Sequence, residues 1–222
     1  MTSLSSSGPA TQRAGRASDR VLRDLRHMII TLELPPGSVV TEASLVEVLG
    51  CSRTPLREAL QRLSHEHLVV AVPRRGVSIA DLSIVDFSAI VQSEEAVDCA
   101  LIRLAAPRMS DDRLSYMDEL LAQSDMAIAD GDMEEVVDLD FKIHTAFGIA
   151  SGNRFLLEFQ EILLRLLARY VYLGFQGAGN AEGAIADHRN VVAALRTRDP
   201  DACEAALRTH IRNGRERMRS AL

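Results

Sequence analysis

The sequence predicts a mainly α-helical protein that is divided into two domains. Apolar residues recur at steps of three and four along most of the 222 residues, which is typical of amphipathic helices. Thirteen Gly and seven Pro are few for a loop-rich all-β protein. Residues 1–80 contain ten Arg and seven acidic residues, whereas acidic residues predominate in residues 81–222. This asymmetry indicates a basic N-terminal module attached to an acidic body.

The N-terminal part is expected to contain three helices and a hairpin. Residues 1–17 lack an apolar stretch, and we predict that they form a disordered, mildly basic arm. Residues 19–33 have helical apolar spacing and are followed by Pro35, which cannot continue a helix. The segment 73–76 (PRRG) is the expected hairpin turn. The other predicted elements are a helix at 41–49, a helix that begins near Ser52 and ends before Leu68, and strands at 68–72 and 77–80.

Three helices followed by a two-stranded hairpin describe a winged helix-turn-helix, which we assign to residues 18–80. The third helix of this fold presents its N-terminal residues to base edges. Arg forms forked hydrogen bonds with guanine, and basic residues at the hairpin tip are suited to phosphates. The alternative is an ordinary solvent-exposed polar face, but turn, helix and basic hairpin in this order favour DNA binding. The predicted DNA-binding side chains are Arg53, Thr54, Arg57, Arg74 and Arg75.

From residue 81 to residue 222 the pattern is helical throughout, which predicts an all-α six-helix bundle. No run approaches the roughly 20 apolar residues of a membrane span. Three Cys, far apart in the sequence, indicate neither a disulfide framework nor a zinc finger, so we expect a reducing compartment. The expected helices lie at about 83–107, 110–130, 132–151, 153–175, 182–198 and 200–219.

Metal-ligating residue types occur on several of these helices. Asp140 and His144 are four residues apart and therefore share a helical face, while His188 and His210 lie on two later helices. Imidazole and carboxylate bind zinc, nickel, manganese or iron, and a helical bundle brings such side chains together. The alternative is that these histidines are surface residues or hydrogen-bonded core residues.

The N-terminal segment resembles the DNA-binding domain of the GntR family of bacterial transcriptional regulators. The match is strongest at 52–60 (SRTPLREAL), and it extends to Pro36, Gly37 and Gly76. His67 departs from the family, which usually has Gly there, so either the turn differs or His67 adopts a left-handed conformation. The resemblance implies that operator DNA contacts Arg53, Thr54, Arg57 and Gly76.

Residues 83–217 resemble the FCD ligand domain of the FadR-type subgroup. The matching features are 139–153 (LDFKIHTAFGIASGN), an acidic residue before His188, and His210 in the last helix. In that subgroup an Asp and three His bind a divalent metal, and the effector is commonly a small carboxylate. The resemblance implies that Asp140, His144, His188 and His210 hold a divalent ion, for which zinc is our first choice over nickel, manganese and iron.

One departure from the subgroup concerns the effector. The family commonly carries an Arg that helps hold a carboxylate, and our alignment places Glu94 at that position. A glutamate repels a carboxylate, and the repulsion grows in a dry pocket, so we expect an effector that is neutral, cationic or held differently. Arg165 and Arg169 are further candidates for an anionic partner, although both are equally consistent with surface arginines. Asn213 shares a face with His210 and is a fourth effector candidate.

These observations lead to one preferred function and two alternatives. The preferred function is a transcriptional regulator rather than an enzyme: a repressor that binds a palindromic operator as a homodimer and is released by a small-molecule effector, such as an organic acid. Such a protein is expected in the bacterial cytoplasm, at the nucleoid when bound to DNA. One alternative is a metal-dependent hydrolase carrying a helix-turn-helix, although no nucleophile or general-base motif accompanies the expected ligands. The other is a metal-free helical interaction domain.

Overall fold

The structure is a computed structural model that describes residues 9–177 and 179–220. The described residues form two compact units, and the chain passes from one to the other between Leu82 and Ser83. This division lies two residues beyond the boundary expected from the sequence. The predicted fold class is confirmed, because a small winged helix-turn-helix precedes a unit composed of helices.

The N-terminal unit contains three helices and a three-stranded antiparallel sheet. The strand order is β1-β3-β2, with Val39 opposite Ser78 and Val72 opposite Gly76. Strand β1 was not predicted, because two residues are too short to show a periodic pattern. The elements are α1 (Pro9–Ile30), β1 (Val39–Val40), α2 (Glu42–Leu49), α3 (Arg53–His65), β2 (Val69–Val72) and β3 (Gly76–Ile79).

The first helix corrects the expected arm over residues 1–17. Helix α1 begins at Pro9, so residues 9–17 are helical, while residues 1–8 lie outside the described residues. Proline is favourable at the first position of a helix, and the Ala, Gln and Arg residues that follow have good helix propensity. The absence of an apolar run was therefore a poor argument against a helix at this place.

Residues at both ends of α2 define the turn that leads into α3. Thr41 accepts a hydrogen bond from the backbone N–H of Ser44 and caps α2. Gly50 then ends α2 in the left-handed region, with φ 55° and ψ 38°. Leu45 of α2 and Leu56 of α3 are both buried, so the pair of helices packs across this turn.

His67 adopts the left-handed conformation that we gave as one of two possibilities, with a φ of 58°. The backbone N–H of Leu68 donates to the carbonyl of Leu63 at 2.9 Å, and that of His67 donates to Ser64 at 3.1 Å. These two bonds satisfy carbonyls at the end of α3 and turn the chain into strand β2. A non-glycine residue therefore makes the turn that the family usually makes with glycine.

The C-terminal unit consists of the six predicted helices, and every end lies within two residues of its expected position. Polar side chains at Ser110, Asp132 and Asn153 cap helices in this unit. No described helix has both the length and the apolar character to cross a bilayer. The helices are α4 (Ile84–Ala105), α5 (Asp111–Asp130), α6 (Met133–Ala150), α7 (Arg154–Phe175), α8 (Asn180–Thr197) and α9 (Pro200–Arg219), with a 3-10 turn at Ala106–Arg108 after α4.

The hairpin depends on the absence of a side chain at Gly76. Its φ is 119°, and a Cβ atom there would lie 2.1 Å from the carbonyl oxygen of Val40. We expect Gly76→Ala to lower the free energy of unfolding of the N-terminal unit by about 3 kcal/mol, because backbone strain and a clash with backbone add. Gly50→Ala, at a φ of 55° with open space around the new atom, should cost only about 1 kcal/mol. Urea unfolding followed by circular dichroism measures both, and equal losses would contradict the clash.

Candidate DNA-reading face and candidate metal centre

Helix α3 places its polar first turns in solvent. Arg53, Thr54 and Arg57 are exposed, whereas Leu56 and Ala59 are buried in the N-terminal core. This division follows from the order of polar and apolar residues, since residues three or four apart share a helical face. The three side chains predicted to contact bases are therefore accessible.

Arg57 is held by a carboxylate of the preceding helix. Its Nε donates to Oε2 of Glu42 at 3.0 Å and to Oε1 at 3.2 Å. The terminal nitrogens of this guanidinium make no hydrogen bond to a described residue. Arg62, on the other side of α3, pairs with Asp19 at 2.6 Å. Arg57 thus keeps both terminal amino groups for another partner.

The tip of the hairpin carries the other two arginines that we predicted to bind DNA. Arg74 and Arg75 are both exposed, and Arg74 has a φ of 63°. The backbone N–H of Arg75 donates to the carbonyl of Val72 at 3.0 Å and closes the turn. Both side chains are therefore presented to solvent on a short, hydrogen-bonded loop.

Three histidines from three helices meet inside the C-terminal unit. Nε2 of His144 lies 3.1 Å from Nε2 of His188 and 3.2 Å from Nε2 of His210. All three side chains are buried. Asp140, one turn before His144 on α6, places Oδ1 3.7 Å from Nε2 of His188. The structure thus brings the three predicted histidines together and places Asp140 near one of them, His188.

A buried acid and an amide, neither of which we had assigned to the site, hold His144 in place. The Nδ1 atom of His144 lies 2.8 Å from Oδ2 of Asp98, which fixes the ring proton there and leaves the Nε2 lone pair facing the other imidazoles. Gln160 donates to Oδ1 of Asp98 at 3.0 Å and to the backbone carbonyl of His144 at 3.1 Å. Gly148 makes room for this amide, because a Cβ atom there would lie 2.0 Å from Oε1 of Gln160.

The donor atoms fit a divalent ion. Two imidazoles that bind one ion at about 2.1 Å, with an angle between 90° and 109°, have nitrogens about 3.0–3.4 Å apart, the range found here. The Nε2 atoms of the three buried imidazoles face one another, and each of these nitrogens carries only one proton or one lone pair, so hydrogen bonds cannot pair all three. A shared ion explains this convergence better than ordinary core packing.

Burial and neighbouring charges shift the titration of the cluster. Burial raises the pKa of Glu94 to about 8, and the carboxylate of Asp98 adds to the shift. Burial opposes protonation of His144, but the hydrogen bond to Asp98 and the surrounding carboxylates raise its pKa to about 9. Burial lowers the pKa values of His188 and His210 well below the ordinary range, and nearby positive charge acts in the same direction.

A cavity opens beside the histidines and encloses about 640 Å³, including the part open to solvent. Five of its lining residues are polar or charged, and the other twelve are apolar residues or glycines. The polar and charged lining residues are Glu94, Asp140, His144, His210 and Arg217.

The structure separates the four effector candidates. Glu94 lines the cavity, whereas Arg165, Arg169 and Asn213 do not. Arg165 pairs with Glu161 one turn earlier on α7 at 2.8 Å. Arg169 is buried, and Asn213 donates to Oδ1 of Asp187 at 2.9 Å.

Comparison with known families matches both units. Residues 17–79 match the family described as bacterial regulatory proteins, gntR family, and residues 89–213, more than half of the chain, match the FCD domain. The chain belongs to the GntR family. Both halves of the resemblance inferred from the sequence are thereby confirmed, and the FCD match covers all four of the predicted metal ligands.

Named relatives place this GntR chain among transcriptional regulators. It is 25% identical to the HTH-type transcriptional repressor RspR of Escherichia coli K12 over 202 residues, which is 91% of this chain and 89% of the relative. It is 29% identical to an HTH-type transcriptional regulator of Streptomyces ambofaciens, over 90% of this chain and 85% of the relative. The chain is therefore a DNA-binding transcriptional regulator.

Solved structures of GntR proteins share the fold. E. coli McbR/YncC superposes with a TM-score of 0.81 at 23% identity, over 92% of this chain and 97% of that one. A putative GntR regulator from Rhodococcus sp. RHA1 gives a TM-score of 0.78 at 22% identity, with coverage of 92% and 98%. The order of the winged helix-turn-helix and the helical domain is thus the order found in this family.

The hydrogen bond between Asp98 and His144 has a measurable consequence in metal-free protein. The folded pKa of His144, about 9, lies above the ordinary value of 6.5, so the ring stabilises the fold fully below about pH 6.5. This contribution is lost as pH rises through 9. We expect Asp98→Asn to lower the pKa of His144 by more than one unit in an NMR titration of the ring. Asp125→Asn, which removes a surface carboxylate paired with Arg189, should leave it unchanged; equal shifts in the two variants would contradict the assignment.

Proposed function

We propose that this GntR regulator is a homodimeric repressor that binds a palindromic operator and releases it when a small molecule binds beside a divalent ion in the FCD domain. The observation that carries the proposal is the convergence of three buried imidazoles, with Asp140 near His188, beside a cavity that Asp140, His144 and His210 line. Four protein donors do not fill the coordination sphere of a five- or six-coordinate ion, so a ligand atom has room to bind. Zinc is the preferred ion, and nickel, manganese and iron accept the same donors.

The DNA-reading residues divide into two roles. Arg53 and Arg57 have the forked donors that match O6 and N7 of guanine, and Thr54 is exposed beside them. Glu42 occupies only Nε of Arg57, so the two terminal nitrogens are oriented before DNA arrives. Arg74 and Arg75 at the hairpin tip supply charge for phosphates, which positions the protein without selecting a sequence. A dimer would place two such helices on successive major-groove faces, which explains a palindromic operator.

The four proposed ligands have distinct supports. His144 is oriented by Asp98, and Asp140 lies on the same face of α6. His188 and His210 come from α8 and α9, so the ion would link three helices. When bound, the ion supplies a Lewis-acidic position for an oxygen or nitrogen of the effector. Release of the operator then requires only that the effector bind the DNA-free state more tightly than the DNA-bound state.

Loss of the two arginines should remove sequence-specific DNA binding. Each forked contact to guanine contributes about 1–3 kcal/mol, so Arg53→Ala and Arg57→Ala should each weaken binding to the operator by about 5- to 150-fold. Fluorescence polarisation on duplexes from the upstream region of the gene, at fixed salt, measures the change. The control is Arg62→Ala on the other side of α3, which should bind within a few-fold of the parent. Unchanged affinity in both Arg53 and Arg57 variants would overturn the DNA-reading assignment.

Metal content tests the proposed ion directly. Protein purified from cells should contain about one ion per chain by elemental analysis, and a chelator should lower its melting temperature. His188→Ala should lose the ion, while Asp98→Asn should bind it about 10- to 100-fold more weakly because His144 is less well oriented. His65→Ala, which alters an exposed residue of α3, is the matched control. Equal metal content in the parent and His188→Ala would refute the site.

A further inference from the structure

The side chain of Tyr170 holds the residue at which the C-terminal unit begins. Its hydroxyl accepts a hydrogen bond from the backbone N–H of Ser83 at 3.2 Å and donates one to the carbonyl of the same residue at 3.1 Å. Tyr170 is 1% exposed, and its ring lies against that of Phe87, with 5.1 Å between the ring centroids. One side chain of α7 thus fixes both main-chain groups of Ser83.

Ser83 is the residue through which the chain connects the two units. Its N–H belongs to the peptide bond that joins it to Leu82, the last residue of the N-terminal unit. Because a peptide group is planar, a hydrogen bond to this N–H restricts the orientation of the whole peptide. The hydroxyl of Ser83 also accepts from the backbone N–H groups of Val85 and Asp86 and caps α4. The direction in which the chain enters α4 therefore depends on the two hydrogen bonds of Tyr170.

The helix that carries Tyr170 also lines the cavity. Leu167, Ala168 and Val171 of α7 are lining residues, whereas Tyr170 is not and directs its hydroxyl to Ser83. A rotation of α7 by about 10° moves an atom that lies about 6 Å from the helix axis by about 1 Å. Such a movement breaks hydrogen bonds of 3.1–3.2 Å, because these bonds are lost beyond about 3.5 Å. A ligand that displaces α7 would therefore release Ser83.

We propose that Tyr170 is a positioning residue that transmits occupancy of the cavity to the peptide between the two units. Without a ligand, Tyr170 holds Ser83 in the arrangement that binds operator. A ligand that displaces α7 releases Ser83, and the affinity for operator falls. This inference rests on the effector function proposed above and supplies its route of regulation. The route depends on the displacement of α7, and the charge of the ligand does not enter it.

A substitution that fills the cavity serves as a probe of occupancy. Gly214 of α9 lines the cavity, and a Cβ atom there would lie 3.7 Å from Cε of Met218, an ordinary contact. Gly214→Leu therefore adds a side chain inside the cavity without a clash at Cβ, and leucine has the higher helix propensity. Ala205→Leu changes an exposed position of the same helix and is the matched control. If Gly214→Leu does not fold, Ala168→Leu fills the same cavity from α7.

A double-mutant cycle on operator binding tests the route. Binding by the full-length, metal-loaded protein is measured by fluorescence polarisation at fixed salt. Gly214→Leu should weaken binding at least tenfold, and Tyr170→Phe, which keeps the ring but removes both hydrogen bonds, should weaken it similarly. The double variant should bind within twofold of the weaker single variant, because both changes release the same residue. A loss equal to the product of the two single losses, or unchanged affinity in either single variant, overturns the proposal.

A second tyrosine of α7 provides the control for loss of a hydroxyl. Tyr172 makes no hydrogen bond to a described residue and does not line the cavity. Tyr172→Phe and Ala205→Leu should therefore both bind operator like the parent. Melting curves and elemental analysis show that each variant is folded and loaded with metal. A loss in Tyr172→Phe equal to that in Tyr170→Phe contradicts a specific role for Tyr170.

Exchange of the Ser83 amide hydrogen, measured by NMR without DNA, distinguishes this inference from the function on which it rests. Gly214→Leu should speed this exchange at least tenfold relative to the parent, and Ala205→Leu should leave it unchanged. Faster exchange in a protein that does not bind operator supports the route and refutes the regulatory function. Unchanged exchange in a protein that binds operator and metal keeps the regulatory function and refutes the route.

Discussion

The stability of the C-terminal unit depends on finding partners for six polar side chains in a mainly apolar interior. They are the imidazoles of His144, His188 and His210 and the carboxyl groups of Glu94, Asp98 and Asp140. Polar groups of this kind are costly to bury unless each finds a partner. Asp98, His144 and Gln160 are joined by hydrogen bonds of 2.8–3.1 Å, while Oε1 of Gln160 has no partner among the described residues. The Nε2 atoms of His188 and His210 both face Nε2 of His144, and the proposed ion would bind at these three atoms. An ion held there would link α6, α8 and α9.

The position of this cluster makes the proposed ion and the proposed ligand interdependent. Asp140, His144 and His210 belong to the cluster and also line the cavity. A ligand in the cavity would therefore lie close to the ion and to Asp140 as well as to the apolar lining residues. Any coupling between them is reciprocal, because a ligand that strengthens ion binding is itself bound more tightly when the ion is present.

Local pattern was sufficient to predict the six helices of the C-terminal unit, but it missed the start of α1 at Pro9 and the features that depend on long-range contacts. The 3.6-residue period places each C-terminal helix within two residues, because every helix buries one apolar stripe. Strand β1 exists only through its pairing with β3, and two residues carry no period. Asp98 and Gln160 support His144 from 46 and 16 positions away, and no spacing rule connects them. Neither residue was therefore predicted as part of the site.

The two sites differ in the kind of information that specifies them. The DNA-reading face consists of exposed side chains on one helix and one hairpin, so nine consecutive residues, 52–60, describe most of it. The proposed metal centre is assembled from helices that are far apart in sequence, and its residues come together only when the bundle folds. Glu94 illustrates the difference. The sequence shows a glutamate at this position, but only the fold shows that Glu94 is buried and lines a cavity formed by five helices. The cavity and the histidine cluster therefore depend on the whole fold, whereas the side chains proposed to read DNA lie in a short stretch of sequence.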